Sequence, residues 1–487
     1  MSRRWWTLVA VSLATLMAYL DNNVVNVALP TIQRDLHLSV SGLEWVVSSY
    51  LLVFAGLLLA GGRLADHYGR RRIFLVGLGI FTASSLASGL AGDAAVLIAS
   101  RAVQGLGAAL MVPTTLAIIL ATFNDARERN IAVGIWNAIA ALALAVGPLI
   151  AGLISQHLHW GWIFFINVPV GVITAIIALP AMDESRGGTA EGEARRLDMP
   201  GLVVSAVMLF SLVYALIEGQ DRGWTSLLIV AAFVLAAVAL AGFLLVERRS
   251  AQPMVTLSMF RSRVFSGGTV TMMLWGFGVF GIYFFTALYL QDILGFSPTK
   301  AGLAFVPMAL AVVAFSGLAG PIAARIRTAG AVAGGMLVMA VGLILFALLG
   351  ANASFVALIP AFVVFGAGAG LMNVPLTTAI LGAMPPERSG IASTLLNASR
   401  EVAGLLGITV IGAVLRTRQS SALRGGAHPV TAFLDGYHAG LYVTIALMVA
   451  GVAVSWFTLR RYTAERPAVA GELAPDGPAP VPAGPGA

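Results

Sequence analysis

The chain has 487 residues, of which 59% are hydrophobic and 10% charged, and its formal net charge is +7. Soluble domains carry about 25% charged residues, so this composition excludes a water-covered surface and places the protein in a lipid bilayer. The absence of cysteine excludes disulfides and Cys-ligated metals. The basic residues are spread over many loops, so we expect no nucleic-acid partner.

The apolar segments predict an all-α integral membrane protein. A helix needs about 20 mostly apolar residues to cross a bilayer. Fourteen segments meet this criterion, at residues 7–29, 43–62, 73–92, 96–121, 131–154, 162–181, 200–217, 227–246, 265–290, 301–324, 331–350, 355–382, 391–415 and 437–459. Lys and Arg concentrate in alternate connections, which predicts that both termini lie in the cytoplasm.

The first predicted span contains an acid, Asp21, within the stretch YLDNNVVNVALP. A charge near the bilayer centre costs at least about 2.5–3.5 kcal/mol on insertion scales, so such a group is functional by default. Arg101 in span 4 reaches a similar depth, and we predict that the two side chains face each other and couple proton movement. The guanidinium favours an ionised carboxylate, whereas removal from water favours the protonated form. The alternatives are a static ion pair or an acid near the head groups.

Other polar residues in these spans are candidates to line a substrate cavity. Asn22 and Asn26 lie four residues apart on one helical face, and Gln104 lies one turn from the span 4 arginine. Glu44 and Glu218 lie near the outer ends of spans 2 and 7, and we interpret both as solvated end residues.

The connection between spans 2 and 3 is short and rich in charge. Gly62, Asp66, Gly69, Arg70 and Arg71 lie within the sequence GRLADHYGRRR and are predicted to form a gating loop. Its ion pairs would clamp neighbouring helix ends and break when the halves of the protein rock. Positive-inside anchoring accounts for part of the arginine content.

Span 5 contains a proline flanked by small residues. Gly147, Pro148 and Gly152 are predicted to form a hinge, because proline in mid-helix removes a backbone hydrogen bond. A packing kink is the alternative, and sequence physics does not separate the two.

Two distant segments of the chain are similar. GAALMVPTT at 107–115 matches GAGLMNVPLTT at 368–378, and ERNIAVGIWNA at 128–138 matches ERSGIASTLLNA at 387–398. The separation between the matching segments is longer than six spans require. It predicts a 6+2+6 arrangement of fourteen transmembrane helices, with two parallel-repeat bundles around an inserted pair.

The repeat also sets the predicted domains. Residues 1–181 and 265–462 are the two bundles, and residues 182–264 are a linker with the inserted helix pair. Residues 463–487 are rich in Pro, Ala and Gly without apolar periodicity, which predicts a disordered cytoplasmic tail.

These segments resemble the major facilitator superfamily, specifically its fourteen-span drug:proton antiporter branch (the EmrB/QacA type). GGRLADHYGRRR is similar to the superfamily's loop 2–3 motif, and RAVQGLGAA is similar to its span 4 motif. The span 5 run resembles the antiporter motif, although Ala143 and Ala151 replace expected glycines. The resemblance implies a major facilitator fold and proton-driven efflux, with Asp21 and Arg101 in coupling and Asp66 in gating.

The sequence lacks the motifs of a transporter that is driven by nucleotide hydrolysis. Its one lysine, Lys300, lies in SPTKAG, so there is no nucleotide-binding loop, and no hydrolytic constellation is evident. We therefore expect a transporter rather than an enzyme, with no catalytic residues, no cofactor, no metal and no nucleotide.

The predicted function is proton-coupled export of amphipathic small molecules or drugs by alternating access. The predicted location is the inner membrane of a bacterium, and the predicted partners are lipid, a small-molecule substrate and protons. Symport of a small nutrient and a non-transporting membrane sensor are the alternatives.

Overall fold

A computed structural model describes residues 2–186, 198–250, 253, 255, 257–384 and 389–460, which form helices joined by short connections. The helices are α1 (Arg3–Asp35), α2 (Val40–Tyr68), α3 (Arg70–Gly89), α4 (Ala94–Thr122), α5 (Ala126–His157), α6 (Trp162–Phe165), α7 (Asn167–Ala181), α8 (Met199–Arg222), α9 (Leu227–Arg249), α10 (Arg263–Leu288), α11 (Pro298–Ala347), α12 (Phe355–Gly382), α13 (Ser389–Arg424) and α14 (Pro429–Leu459). A 3-10 turn covers Leu257–Arg261, and a π-helical turn, Tyr289–Ile293, continues α10.

The number of membrane-crossing helices differs from the sequence prediction. Within the described ranges, twelve helices are long and apolar enough to cross a membrane, so fourteen spans in a 6+2+6 arrangement is wrong. The expected spans 301–324 and 331–350 lie in one 50-residue helical run, α11, and the expected span 131–154 lies on α5, which is not among the twelve. Arg325 and Arg327 lower the local hydropathy, which resembles a loop in the sequence. In the structure the two helices of α11 meet directly at a kink, where Arg327 has non-helical backbone (φ 66°, ψ 159°).

Several parts of the sequence prediction lie outside the described residues. They are the tail at 463–487, residues 461–462 of the second predicted bundle, residues 187–197, 251, 252, 254 and 256 of the linker segment, and Glu387 and Arg388 of the repeated segment.

Capping side chains and one glycine set helix ends near the predicted site. Ser39, Asp93 and Asp125 each accept a hydrogen bond from the backbone N–H three residues later, at the starts of α2, α4 and α5. Gly69 lies between α2 and α3 with φ 111°, where a side chain would be strained and would contact the Glu184 carboxylate.

The helices form two groups. Helices α1–α7, called here the first half, pack mostly on one another, as do α10–α14, the second half. α8 and α9 pack together, and α8 also contacts α2 in the first half and α13 in the second. Close crossings depend on glycine: a Cβ on Gly61 would overlap the Ala109 carbonyl, and one on Gly407 would overlap the Phe277 carbonyl. Such small residues are typical of helix contacts in membranes.

The two ends of the first half are identified by their contacts. At one end, called the terminal end, the start of α1 meets the end of α7, because Thr7 Oγ1 donates to the Ala181 carbonyl at 2.8 Å. At the other, called the far end, α1 finishes beside the chain after α5, because Trp160 Nε1 donates to Asp35 Oδ2 at 2.6 Å.

Candidate functional site

A buried hydrogen-bonded network surrounds Asp21. Its Oδ2 accepts a 2.5 Å hydrogen bond from Arg101 Nη1, and both side chains are fully buried. Its Oδ1 accepts from Gln104 Nε2 at 2.8 Å and from Asn167 Nδ2 at 2.9 Å. Gln104 Nε2 also lies 2.7 Å from Ser85 Oγ. Side chains from α1, α4 and α7 therefore meet at one carboxylate, and Ser85 of α3 joins them through Gln104.

The structure thus brings together three predicted residues, Asp21, Arg101 and Gln104; their part in proton coupling stays a prediction. Asn167 and Ser85 were not predicted. A polar residue at the start of α7 and serines in α3 were visible in the sequence, but nothing in their spacing assigns them to this acid.

Few groups stabilise the buried positive charge of the Arg101 guanidinium. Its Nη1 also donates to Gln104 Oε1 at 2.6 Å, and its Cζ lies 4.4 Å from the ring centroid of Tyr50 and 5.5 Å from that of Phe164. Its Nη2 is buried without a hydrogen-bond partner among the described residues. Its Nε donates to the Val46 carbonyl at 3.4 Å, and Asp21 is the one carboxylate within the described ranges that contacts this cation. Protonation of Asp21 would therefore leave a buried charge next to rings, an amide and one backbone carbonyl.

A cavity lies between the two halves, beside this network. It is lined by helices α1, α2, α4 and α5 of the first half and by α13 of the second. Tyr50 lines the cavity and also lies against the Arg101 guanidinium, so one aromatic ring separates the cavity from the buried ion pair.

The predicted cavity residues occupy different places. Asn22 lines the cavity. Asn26 is buried, and its Nδ2 donates to the Asn22 carbonyl at 3.1 Å. Gln104 is fully buried and belongs to the Asp21 network instead.

Two charged residues of α13 line the cavity and were not predicted to do so. Arg400 donates from Nη2 and Nε to Glu401 Oε1, at 2.7 and 3.2 Å. Glu401 is 2% exposed, and its Oε2 is buried without a hydrogen-bond partner within the described part of the chain. The sequence signal was an acid and a base inside a predicted span.

The far end holds a second buried ion pair, between the halves. Glu44 is fully buried, so its interpretation as a solvated end residue is wrong. Its Oε2 accepts from Arg416 Nη2 at 3.2 Å, and the same nitrogen donates to the Leu216 carbonyl at 3.2 Å. Asp221 Oδ2 lies 4.0 Å from Arg416 Nη1. Helix α8 covers this end of α2 and α13 and removes the pair from water.

Glu218, the other acid interpreted as solvated, is partly covered. Its Oε1 accepts from Trp45 Nε1 at 2.9 Å, and its Oε2 accepts from Arg222 Nε at 2.8 Å. α8 is therefore attached to α2 by side-chain bonds as well as by packing.

Breaking the far-end pair one residue at a time is expected to destabilise the protein more than breaking it completely. Arg416→Met leaves the buried Glu44 carboxylate unpaired, and Glu44→Gln leaves the buried Arg416 guanidinium with only the half-exposed Asp221 at 4.0 Å. Each single change should cost up to about 3–5 kcal/mol, whereas the double variant leaves no buried charge of this pair. Thermal unfolding of the purified protein measures the three losses. Arg222→Met, which breaks an ion pair with a half-exposed arginine, is the control and should cost about 0–1 kcal/mol. Additive single-variant losses would contradict this prediction.

The predicted span 5 hinge packs against both halves at the far end. A Cβ on Gly147 would lie 2.9 Å from Asn23 Cβ in α1, and one on Gly152 would lie 2.5 Å from the Pro298 carbonyl oxygen in α11. A Cβ on Gly302 would overlap the carbonyl oxygen of Pro148. The far end is thus closed by a direct crossing of α5 and α11; a hinge motion at these residues stays a prediction.

The predicted gating loop joins helix ends of the first half. Asp66 Oδ1 accepts from Arg70 Nη2 at 2.9 Å, and Arg70 Nη1 donates to the Ala117 carbonyl at 3.3 Å. Arg71 Nη2 donates to the Leu179 carbonyl at 2.6 Å, which ties the start of α3 to α7. Gly62 lies against α4, with 3.8 Å between a Cβ placed on it and Pro113 Cβ. The gating role of these residues stays a prediction.

One partner of this loop was not predicted. Glu184 lies at the start of the linker, and its carboxylate accepts from the backbone N–H groups of Arg71 and Arg72 at 3.1 and 3.3 Å. It therefore caps α3 in place of a side chain from Gly69, and negative charge is favourable at a helix N-terminus.

Asn167→Leu tests the network without removing a charge. The leucine cannot donate to Asp21 Oδ1, and the loss of a donor to a buried acceptor costs about 1–3 kcal/mol. We expect a lower unfolding temperature and slower transport. Asn137→Leu, at an exposed position of α5, is the control and should change stability by less than about 0.5 kcal/mol. Equal unfolding temperatures for the two variants would argue against the importance of this bond.

Apolar helices around a central cavity, with a buried ion pair next to it, define a membrane transport protein. The chain belongs to the Major Facilitator Superfamily, whose family model matches residues 11–408.

Relatives and solved structures agree with this membership. Multidrug resistance protein Stp of Mycobacterium tuberculosis is 38% identical over 419 residues, covering 86% of this chain and 77% of Stp. Puromycin resistance protein pur8 of Streptomyces alboniger is 36% identical, covering 92% and 89%. The tetracenomycin C resistance and export protein of Streptomyces glaucescens is 36% identical, covering 85% and 77%.

Two crystal structures illustrate the fold. The POT family transporter PepTSo superimposes with a TM-score of 0.70 at 15% identity, covering 94% of this chain and 97% of that one. A bacterial homologue of the human lysosomal transporter Spinster, in an inward-facing and unoccupied conformation, gives 0.68 at 16% identity, covering 94% and 98%. At these identities the likeness concerns the fold alone.

Proposed function

We propose that the protein is an efflux transporter that exports amphipathic small molecules, including antibiotics, in exchange for protons. Relatives that are at least 36% identical carry the names multidrug resistance, puromycin resistance, and tetracenomycin C resistance and export. The observation that carries proton coupling is the Asp21 carboxylate, which is fully buried beside the cavity and faces the Arg101 guanidinium.

The orientation follows from charge. Lys and Arg concentrate in the connections at the terminal end, so we place that end and both termini in the cytoplasm. The far end then faces outward, where α5 crosses α11 and Gln291 Nε2 donates to the Val27 carbonyl at 2.7 Å. Cavity residues Leu116 and Trp136 lie toward the cytoplasmic ends of α4 and α5. We therefore assign this conformation to the state that loads substrate from the cytoplasm.

Transport requires the far end to open. We assign the moving units to residues 1–181 and 265–462, connected through residues 182–264, with the loop around Asp66 and the small residues of span 5 as the points that adjust. In the outward state a proton binds Asp21 and weakens its hold on Arg101, which favours substrate release. After the return, loss of the proton to the cytoplasm restores the ion pair for the next cycle.

Reconstituted liposomes test this function and its direction. With about pH 6 inside and about pH 8 outside, the proton gradient provides about 2.7 kcal/mol per proton. An antiporter should accumulate an external fluorescent drug inside these vesicles as protons leave. A symporter should accumulate it only when the gradient is reversed. Accumulation in the reversed gradient alone, or in neither, would overturn the proposal; protein-free liposomes are the control.

A further inference from the structure

The cavity contains one acidic side chain whose bonding is incomplete. Glu401 lines the cavity from α13, and Arg400 contacts only its Oε1. The other oxygen, Oε2, is buried and has no hydrogen-bond partner among the described residues. A carboxylate has about four acceptor sites, and an unused one in a dry environment is unfavourable. A ligand that brings positive charge to this oxygen would remove the deficit.

The other charges near the cavity are already matched. The Arg400 guanidinium uses two nitrogens on Glu401, and the Arg101 guanidinium is paired with Asp21 behind the Tyr50 ring. The phenol of Tyr50 in α2 lies within electrostatic range of Glu401, and the phenol of Tyr19 in α1 hydrogen-bonds to Arg400. None of these groups adds an unpaired positive charge that would favour an anionic ligand.

The wall opposite Glu401 is aromatic. Tyr19, Tyr50, Phe54 and Trp136 line the first-half side of the cavity. The faces of such rings carry partial negative charge and attract cations. The cavity therefore combines an incompletely bonded carboxylate on one side with rings on the other, an arrangement suited to a flat, positively charged molecule.

We infer that Glu401 is the residue that selects cationic aromatic substrates, through contact of its carboxylate with the positive charge of the substrate. The inference rests on the proposed efflux function and specifies its substrate class. It also separates two roles between two acids. Asp21 is enclosed by Arg101, Gln104 and Asn167 and binds and releases the proton. Glu401 lines the cavity and contacts the substrate.

The test compares two dyes that share a xanthene skeleton and differ in charge. Tetramethylrhodamine methyl ester is a cation and fluorescein methyl ester is an anion near neutral pH. Their binding to the full-length protein in lipid nanodiscs, without any gradient, is measured by fluorescence polarisation. We expect the unaltered protein to prefer the cation. Glu401→Gln should weaken cation binding about tenfold, or about 1.4 kcal/mol, and leave the anion unchanged or tighter.

Glu401→Asp keeps the charge and should recover part of the cation affinity, which separates loss of charge from loss of structure. Unchanged cation binding in Glu401→Gln, equal weakening of both dyes, or no binding of the cation to the unaltered protein would each overturn the inference. Because binding is measured without protons flowing, failure of gradient-driven transport with intact Glu401-dependent binding would refute only the proposed function.

Discussion

Asp21→Asn is expected to reduce gradient-driven efflux to the level of protein-free liposomes. Asparagine keeps the size of the side chain and can still accept from Gln104 and Asn167, but it cannot bind and release a proton. The Arg101 guanidinium then has no anionic partner in its network. Drug accumulation in liposomes with an acidic interior measures the loss.

An unfolding temperature, a double variant and an exchange assay isolate the cause of that loss. Removal of one partner of a buried pair costs about 3–5 kcal/mol, so the unfolding temperature of Asp21→Asn must be recorded as well. The double variant Asp21→Asn/Arg101→Gln removes both charges and should recover stability without recovering efflux. Exchange of labelled for unlabelled drug at equal pH needs no net proton movement and should persist in Asp21→Asn. Undiminished gradient-driven efflux would remove Asp21 from the coupling role.

Gly302→Val is expected to hold the far end open and thereby stop transport. A Cβ at this position would overlap the Pro148 carbonyl oxygen, and Leu149 Cα would lie 3.4 Å away, so the obstacle is backbone that cannot rotate aside. Overpacking costs about 1–3 kcal/mol, which shifts a two-state equilibrium by about 5–150-fold. The contact exists only when α5 and α11 touch, so the shift favours the outward-open state.

Thiol labelling reports this change directly. The natural chain has no cysteine, so Val27→Cys places a single thiol at a buried far-end position of α1. An impermeant maleimide added from outside should label it faster in Gly302→Val than in the parent. Gly317→Val is the matched control, because it lies on the same helix with nothing within 4 Å of its added Cβ. Equal labelling rates in the two variants would show that this crossing does not control the gate.

The first-half ion pair could be predicted from sequence because a span has few ionisable groups and helical rise fixes their depth. Asp21 and Arg101 were the residues that met this condition. Asn167 could not be assigned, since neutral amides in spans are commoner and their direction depends on how α7 packs.

Contacts between the two halves were harder to predict from the sequence. Glu44 and Arg416 are 372 residues apart, and their pairing depends on how α2, α8 and α13 come together. The sequence shows that Arg400 and Glu401 are opposite charges within one span, which suggests that they neutralise each other. Only the structure shows that Glu401 Oε2 has no hydrogen-bond partner among the described residues. The span count was wrong at two places: the two expected spans of α11 follow one another across a kink at Arg327 without a connecting loop, and α5 is not among the twelve spanning helices of the described ranges.

The position of α8 has a consequence for blocking drug resistance. Ser41 donates to Asp221 Oδ2 at 2.6 Å and Gln220 donates to Ser420 at 3.0 Å, so α8 is bonded to both halves at the far end. In the proposed orientation this junction faces the cell exterior. A compound or antibody fragment bound across it is expected to stop transport without competing with the exported drug. Cavity mutations that alter substrate preference would give no escape from such an inhibitor.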